Sequence, residues 1–341
     1  MASPTRSDAA AGAADTSTTG AAPRSVRQPA VAGRGLFYPA DPVECAALAR
    51  SYLRPAAAAA VACETAAAAV GGRVWRGAVV PHAGWVCSGA IAGEAIATLA
   101  AATGGPTCDA GAGPAAARPP DVVVVFGAIH TPLPAPAPAV LASYDAWREP
   151  GGDAAVAVDV GARLVERGGL FDVDDRFHRP EHAVEVELPL IQAAWPGVPV
   201  LPVEVPAVAE AADVGRQTAA QLAAAGLDAV FLASSDLTHY GPRYGFAPAG
   251  VGPGGLAWAK DNDRRLLDRV VALDEAGIVP EVRQRLNACG GGAIAAMLAA
   301  CREWGASRAA VLRHANSVET LADVHPQPPT DAVGYAGVVV G

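Results

Sequence analysis

The sequence predicts an α/β fold: a three-layer α/β/α sandwich whose central sheet is mostly parallel or mixed. Three observations predict it. Short valine-rich runs alternate with longer segments of helical spacing along most of the chain. The composition is 52% hydrophobic and 17% charged, enough for a packed core and unlike a disordered chain. Three of the apolar runs end in turns that each carry a histidine, the place where open α/β sheets build their sites.

Residues 1–27 read as a flexible tail, dominated near the start by Ala, Ser, Thr, Gly and Asp, and 28–341 as a single α/β domain. Strands are expected at Gly77–Val80, Val122–Phe126, Val198–Val205 and Ala229–Ala233, because short β-branched runs suit a sheet buried on both faces. Two late strands are expected at Ala309–His314 and Val333–Val340. Helical spacing marks Ser88–Ala101, Asp153–Arg167, His182–Ala194, Ala209–Ala225, Asn262–Leu273 and Gly292–Trp304. The Pro/Gly/Ala stretches Thr103–Pro120, Thr131–Pro138 and Ala247–Gly255 read as surface loops.

Charge and cysteine usage narrow the function classes. The net charge is −9, and no Lys/Arg run forms a basic patch, which argues against nucleic acid and anionic membrane surfaces as partners. The start lacks the apolar core of a secretory signal, and no run of about 18 uncharged apolar residues exists to span a bilayer. The six cysteines make no C-x-x-C pair, as expected for reduced thiols of a cytoplasmic protein.

The chemistry collects at the strand ends. Gly77–Val80 leads into P-H-A-G-W with His82, Val122–Phe126 into G-A-I-H with His130, and Ala229–Ala233 into S-S-D-L-T-H-Y-G with Asp236 and His239. If these strands are parallel neighbours, the three histidines converge on one rim. Each alone suits a structural hydrogen-bonding role, and Asp236 with His239 is equally a ligand pair, an acid–base pair or an Asx-type turn. In E-H-A-V-E-V-E-L-P, His182 opens a helix, with Glu181 or Glu185 steering it or merely favouring the helix dipole, and nearby His178 is expected to be exposed. Cys289 precedes three glycines and a helix, which suits a ligand or nucleophilic thiol as well as a small buried residue, and the glycines allow a ligand to approach the backbone. Two histidines with a cysteine or carboxylate suit iron, copper or catalytic zinc. No G-x-S-x-G, P-loop or H-E-x-x-H motif is present.

Taken in order, Ala32–Gly33, Phe37–Tyr38–Pro39, P-H-A-G-W with Cys87–Ser88–Gly89, G-A-I-H, E-H-A-V-E-V-E-L-P, S-S-D-L-T-H-Y-G, C-G-G-G and Val333–Gly334–Tyr335–Ala336 resemble the Memo family, whose bacterial and archaeal members are called AmmeMemoRadiSam system protein B. The resemblance runs from Pro29 to the C-terminus. It implies a fold similar to the class III extradiol dioxygenases, which use non-haem iron. By position it implies metal ligands at His82, His130 and Cys289, a neighbouring pocket pair in which His239 is the acid–base group or a fourth ligand and Asp236 orients or coordinates, and His182 as the helix-opening histidine that acts on substrate or supports the ligands. One iron or copper ion per chain is implied, with zinc as a further candidate. Two functions are compatible with it: a metal-dependent oxidoreductase or oxygenase acting on a small molecule, and a non-enzymatic metal-binding adaptor, with a radical-SAM protein as partner. The chain departs from the family pattern at Gly291, where an arginine is common, in the insertion Arg34–Gly35–Leu36, and in the long loop Thr103–Pro120.

Overall fold

The computed structural model describes residues 25–31, 37–54, 75–103, 119–324 and 330–341. The insertion Arg34–Gly35–Leu36 and most of the loop after Thr103 lie outside the described residues. Of the stretch expected as a tail, residues 1–24 lie outside them as well, whereas Val26–Arg27 form strand β1 and Arg27 is buried.

From the N-terminus onward the elements are α1 (Pro42–Tyr52), β2 (Gly77–Val80), α2 (Trp85–Thr103), β3 (Val122–Gly127), β4 (Ala139–Leu141), β5 (Ala146–Glu149), β6 (Gly152–Ala155), α3 (Val158–Glu166), β7 (Phe171–Val173) and α4 (Asp175–His178). There follow α5 (Leu188–Ala194), β8 (Val200–Glu204), α6 (Ala211–Ala224), β9 (Ala229–Ser234), β10 (His239–Tyr240), α7 (Pro253–Val271), α8 (Glu275–Arg285), α9 (Gly291–Glu303), β11 (Ala309–Asn316), α10 (Ser317–Thr320) and β12 (Ala332–Val340).

The main sheet has nine strands in the order β10-β12-β2-β9-β3-β8-β4-β7, with β11 also paired to β12. Its centre, β2-β9-β3-β8, is parallel throughout, while β12 joins β2 and β4 joins β8 antiparallel, so the sheet is mixed. β1, β5 and β6 make a separate small sheet.

The valine runs explain the layering. Successive strand side chains face opposite ways. On β3, Val122, Val124 and Phe126 join a core with α6 and α9. Val123 and Val125 join a second core on the other face, with α2 and α5. Every residue of β2, β3, β8 and β9 is buried, as a sheet covered on both faces requires. Helix starts are locally encoded: Asp41 accepts hydrogen bonds from the N–H groups of Val43 and Glu44, with Pro42 next to it at the first helical position.

Several sequence expectations need correction. Asp153–Arg167 is not one helix: β6 occupies its start, paired with β5 over Arg148 and Asp153, and only Val158–Glu166 is helical. His182 does not open a helix. The chain makes a 3₁₀ turn at Glu185–Glu187, and α5 begins at Leu188, where Pro189 suits a first helical turn. α7 begins at Pro253, inside the stretch read as the loop Ala247–Gly255. His178 is fully buried rather than exposed, its Nε2 bonded to the Val140 carbonyl on β4. The short strands β4 to β7 carry too few residues to show a period in the sequence.

Candidate metal centre

Parallel neighbours β2, β9 and β3 end side by side, so the turns after them meet. The β2 turn carries His82, the β3 turn His130, and the β9 turn Asp236 and His239. His182 reaches the same place from the segment before α5. The His82 ring stands edge-on to His130 at 5.2 Å and to His182 at 5.4 Å, while His130 and His182 stack at 4.7 Å. Each of the three offers a ligand nitrogen, and these atoms lie within 4.8 Å of one another. Cys289, just before α9, joins them: its Sγ is 3.3 Å from His82 Nε2. Of the residues expected to bind metal, His82, His130 and Cys289 are therefore together, and His182, expected beside them, stands within the same group.

Hydrogen bonding fixes which imidazole nitrogen faces inward. The Ser234 hydroxyl donates to the Ala183 carbonyl at 2.6 Å, so its lone pairs are free to accept His82 Nδ1–H at 2.9 Å. Nε2 of His82 is left unprotonated toward Cys289. Glu181 does the same for His130: its Oε1 lies 2.8 Å from His130 Nδ1 and its Oε2 accepts the His130 backbone N–H at 2.7 Å. Glu181 Oε1 also accepts the backbone N–H groups of His182 and Ala183 and lies 3.3 Å from His182 Nδ1. An imidazole that gives its Nδ1 proton to a carboxylate or hydroxyl is the usual way a metal-binding histidine is oriented.

The electrostatics follow. Burial opposes the charge on Glu181, but hydrogen bonds from His130 and His182 outweigh it and hold the carboxyl well below the usual range. Burial also works to lower His130, yet its bonds to Cys289 and Glu181 raise it to about 10. His82 is driven well below its ordinary value by burial and by the neighbouring His130 and His182. Asp236 is raised to about 6 by burial, against hydrogen bonds from the His82 and Ala83 backbone. His239 is lowered to about 4 by burial and by His130.

Asp236 and His239 stand a step back. Asp236 Oδ1 accepts the backbone N–H of His82 at 2.9 Å and clamps the β2 turn. Its Oδ2 is 4.0 Å from His239 Nε2, beyond a hydrogen bond. The partly exposed His239 ring stacks on Tyr244 at 5.1 Å. Nothing in the sequence marks what holds this turn: Asp263 on α7 accepts the Thr238 N–H, while Asn262 donates to the Thr238 hydroxyl. His314 in turn bonds Asp263 at 3.0 Å. Nor did it identify Ser234 as the partner of His82, although Ser234 sits in the S-S-D motif.

The glycines after Cys289 serve the fold rather than an approaching ligand. A Cβ on Gly290 would meet Ser235, and one on Gly292 would run into the Pro206 and Val205 carbonyls. Four cysteines, Cys45, Cys87, Cys289 and Cys301, are free thiols. No helix among the described residues is long and apolar enough to cross a membrane.

The donor set fits a transition metal. Three imidazoles and a thiol are borderline-to-soft ligands that suit iron, copper or zinc and disfavour magnesium or calcium. Comparison with known proteins agrees with the motif order. The Memo-like protein family matches residues 27–339. The chain is 34% identical over 272 residues to a MEMO1 family protein of Methanococcoides burtonii, covering 77% of this chain and 86% of that one. It is 32% identical over 321 residues to a MEMO1 family protein of Methanosarcina acetivorans, covering 92% and 99%. A MEMO1 family protein of Methanopyrus kandleri is 32% identical over 319 residues, covering 92% and 98%. The chain belongs to the Memo family.

Proposed function

We propose that this Memo family chain binds one redox-active metal ion, iron or copper, through His82, His130 and Cys289 with His182 beside them, and acts as a metal-dependent oxidoreductase on a small molecule. The observation that carries the reading is the set of oriented donors. Two imidazoles have their Nδ1 protons committed to Ser234 and Glu181, and a thiol lies 3.3 Å from the free nitrogen of one of them. Orientation of this kind costs little once the surrounding backbone is fixed, and it presets the ligands before a metal arrives.

A redox ion held there supplies one-electron chemistry and Lewis acidity. The chain's own residues do the rest. Glu181 keeps the His130 and His182 rings in place. Asp236 fixes the backbone under His82. His239, a third exposed, is the group placed to take or give a proton at Nε2 for a molecule entering beside the imidazoles, and Tyr244 limits how its ring turns. His182 is packed against Phe37 at 4.9 Å.

Metal analysis of protein purified anaerobically without chelator tests the reading. Wild type is expected to carry close to one iron or copper per chain, with His82→Ala and Cys289→Ala both depleted. Wild type that holds no metal and takes none up on reconstitution overturns it. Stoichiometric zinc, retained under aerobic purification, overturns the redox assignment and leaves the donor set.

A further inference from the structure

We propose that Arg27 is a positioning residue of the histidine centre: from β1, outside the main sheet, its guanidinium locks the backbone that presents Glu181. The inference rests on the metal-centre reading above and concerns how that centre is held.

The guanidinium is almost completely buried and spends its donors on one short stretch of chain. Nε donates to the His178 carbonyl at 2.8 Å, Nη2 to the Glu181 carbonyl at 2.5 Å, and Nη1 to Glu185 Oε2 at 2.8 Å. Its Cζ lies 4.1 Å over the Trp147 ring, which belongs to the residue paired with Arg27 across β1 and β5. Three acceptors spread over residues 178, 181 and 185 are thus gripped by one planar fork. The segment between them has no regular hydrogen-bonding ladder of its own, and beside the Glu181 carboxylate and the Ser234 bond to the Ala183 carbonyl, the Arg27 fork is what holds its His178 and Glu181 carbonyls.

Glu181 sits in the middle of that grip. Its carbonyl is held by Arg27 and its carboxylate fans out to His130 and His182. A shift of the Glu181 backbone moves both rings. Glu185 is less dependent on the arginine, because its carboxylate also accepts the N–H groups of Ala30 and Val31 and the Tyr38 hydroxyl. His82 is further removed: its Nδ1 is tied to Ser234 on β9, and the segment reaches it only through the Ala183 carbonyl that accepts the Ser234 hydroxyl. Arg27 therefore acts on two of the three imidazoles through the one residue it grips, Glu181, and on the third only through Ala183 and Ser234. Lysine cannot replace it, because an ammonium keeps the charge against Glu185 but cannot span three acceptors in a plane.

The full chain with ¹⁵N-labelled histidine, kept metal-free, provides the first measurement. The Nδ1–H resonances of His130 and His82 are assigned with His130→Gln and His82→Gln. In Arg27→Lys, which keeps the buried charge and whose folding is confirmed by its thermal melt, the His130 resonance is expected to shift and to exchange faster with water, and to do so more than that of His82. Arg27→Gln is expected to do the same more strongly. Zn²⁺ affinity, read by competition with a chromophoric chelator, is expected to fall about 10- to 100-fold in both, the range for lost outer partners of metal ligands. A folded variant in which the His130 resonance and the affinity are unchanged overturns the proposal, and so does one in which the His82 resonance moves and exchanges as much as that of His130, which signals general loosening. If wild type takes up no Zn²⁺, the metal reading fails, while the resonances still decide the role of Arg27.

Discussion

Ser234 Oγ lies 2.9 Å from His82 Nδ1, and its own proton goes to the Ala183 carbonyl. The hydroxyl can therefore only accept from His82, which sets the tautomer and turns the free nitrogen toward Cys289. Ser234→Ala removes that acceptor and leaves a small hole. Metal affinity is expected to drop about 10-fold, measured by chelator competition on the folded variant. Unchanged affinity would show that packing alone orients the ring.

Glu181 is the shared anchor of His130 and His182. Glu181→Gln keeps the shape but places an amide where two oxygens receive N–H groups. The expected loss of metal affinity is larger than for Ser234→Ala, toward 100-fold, because two rings are released instead of one. A smaller effect than that of Ser234→Ala contradicts this ranking.

His239 stands outside the ring of donors. His239→Ala is expected to leave metal content at the wild-type ratio, as analysed by mass spectrometry, while abolishing turnover once a substrate is found. Loss of the metal in this variant would place His239 among the ligands. Full turnover would remove His239 from the proton-transfer role.

Glu204 and His178 form a buried pair that makes stability depend on pH. His178 Nε2 donates to the Val140 carbonyl, so the Nδ1 lone pair faces Glu204 Oε1 at 3.3 Å, and both groups are accommodated when neutral. Burial, with Arg27 adding to it against the Val140 carbonyl, lowers His178 to about 4. Between its ordinary value and pH 4 the unfolded chain takes up a proton that the folded chain refuses, so stability falls there as the pH drops. Burial and the Glu181 charge push Glu204 well above its ordinary value, opposed by Arg27 and His130. Above that ordinary value the unfolded chain releases a proton that the folded chain keeps, so stability falls as the pH rises. Glu204→Gln keeps a donor toward His178 and removes the second effect. Its melting temperature relative to wild type is expected to rise by about 1.5 °C or more between pH 5 and pH 8, the change about 1 kcal/mol makes in a chain of this size. A constant difference refutes the neutral pair.

Gly292→Ala tests the close packing behind Cys289. The new methyl meets two backbone carbonyls, which cannot turn aside as a side chain does. The variant is expected to lose about 1–3 kcal/mol in urea unfolding, the usual cost of overpacking. A change under about 0.5 kcal/mol, the level of ordinary surface substitutions, would show that the start of α9 can shift freely.

The layered α/β class, the central strands and the histidines at their ends are legible in the residues alone. Those signals are local: β-branched runs suit a doubly covered sheet, and a polar residue just after such a run falls on the sheet's rim. Tertiary structure alone decided that β9 lies between β2 and β3, which makes His82, His130 and Asp236 neighbours instead of three separate strand ends. It also decided the partners. Glu181 looked like a helix-start carboxylate and proves to hold His130, about fifty residues earlier in the chain. Arg27 fell in the stretch read as a tail and proves to be buried beneath the same segment. His178 looked exposed because a polar residue beside Arg179 and Pro180 resembles a loop, yet its ring lies in the core against Glu204. A hydrogen-bond partner far away in sequence leaves no period and no motif, because the energy that pairs two such groups depends on where the folded backbone brings them.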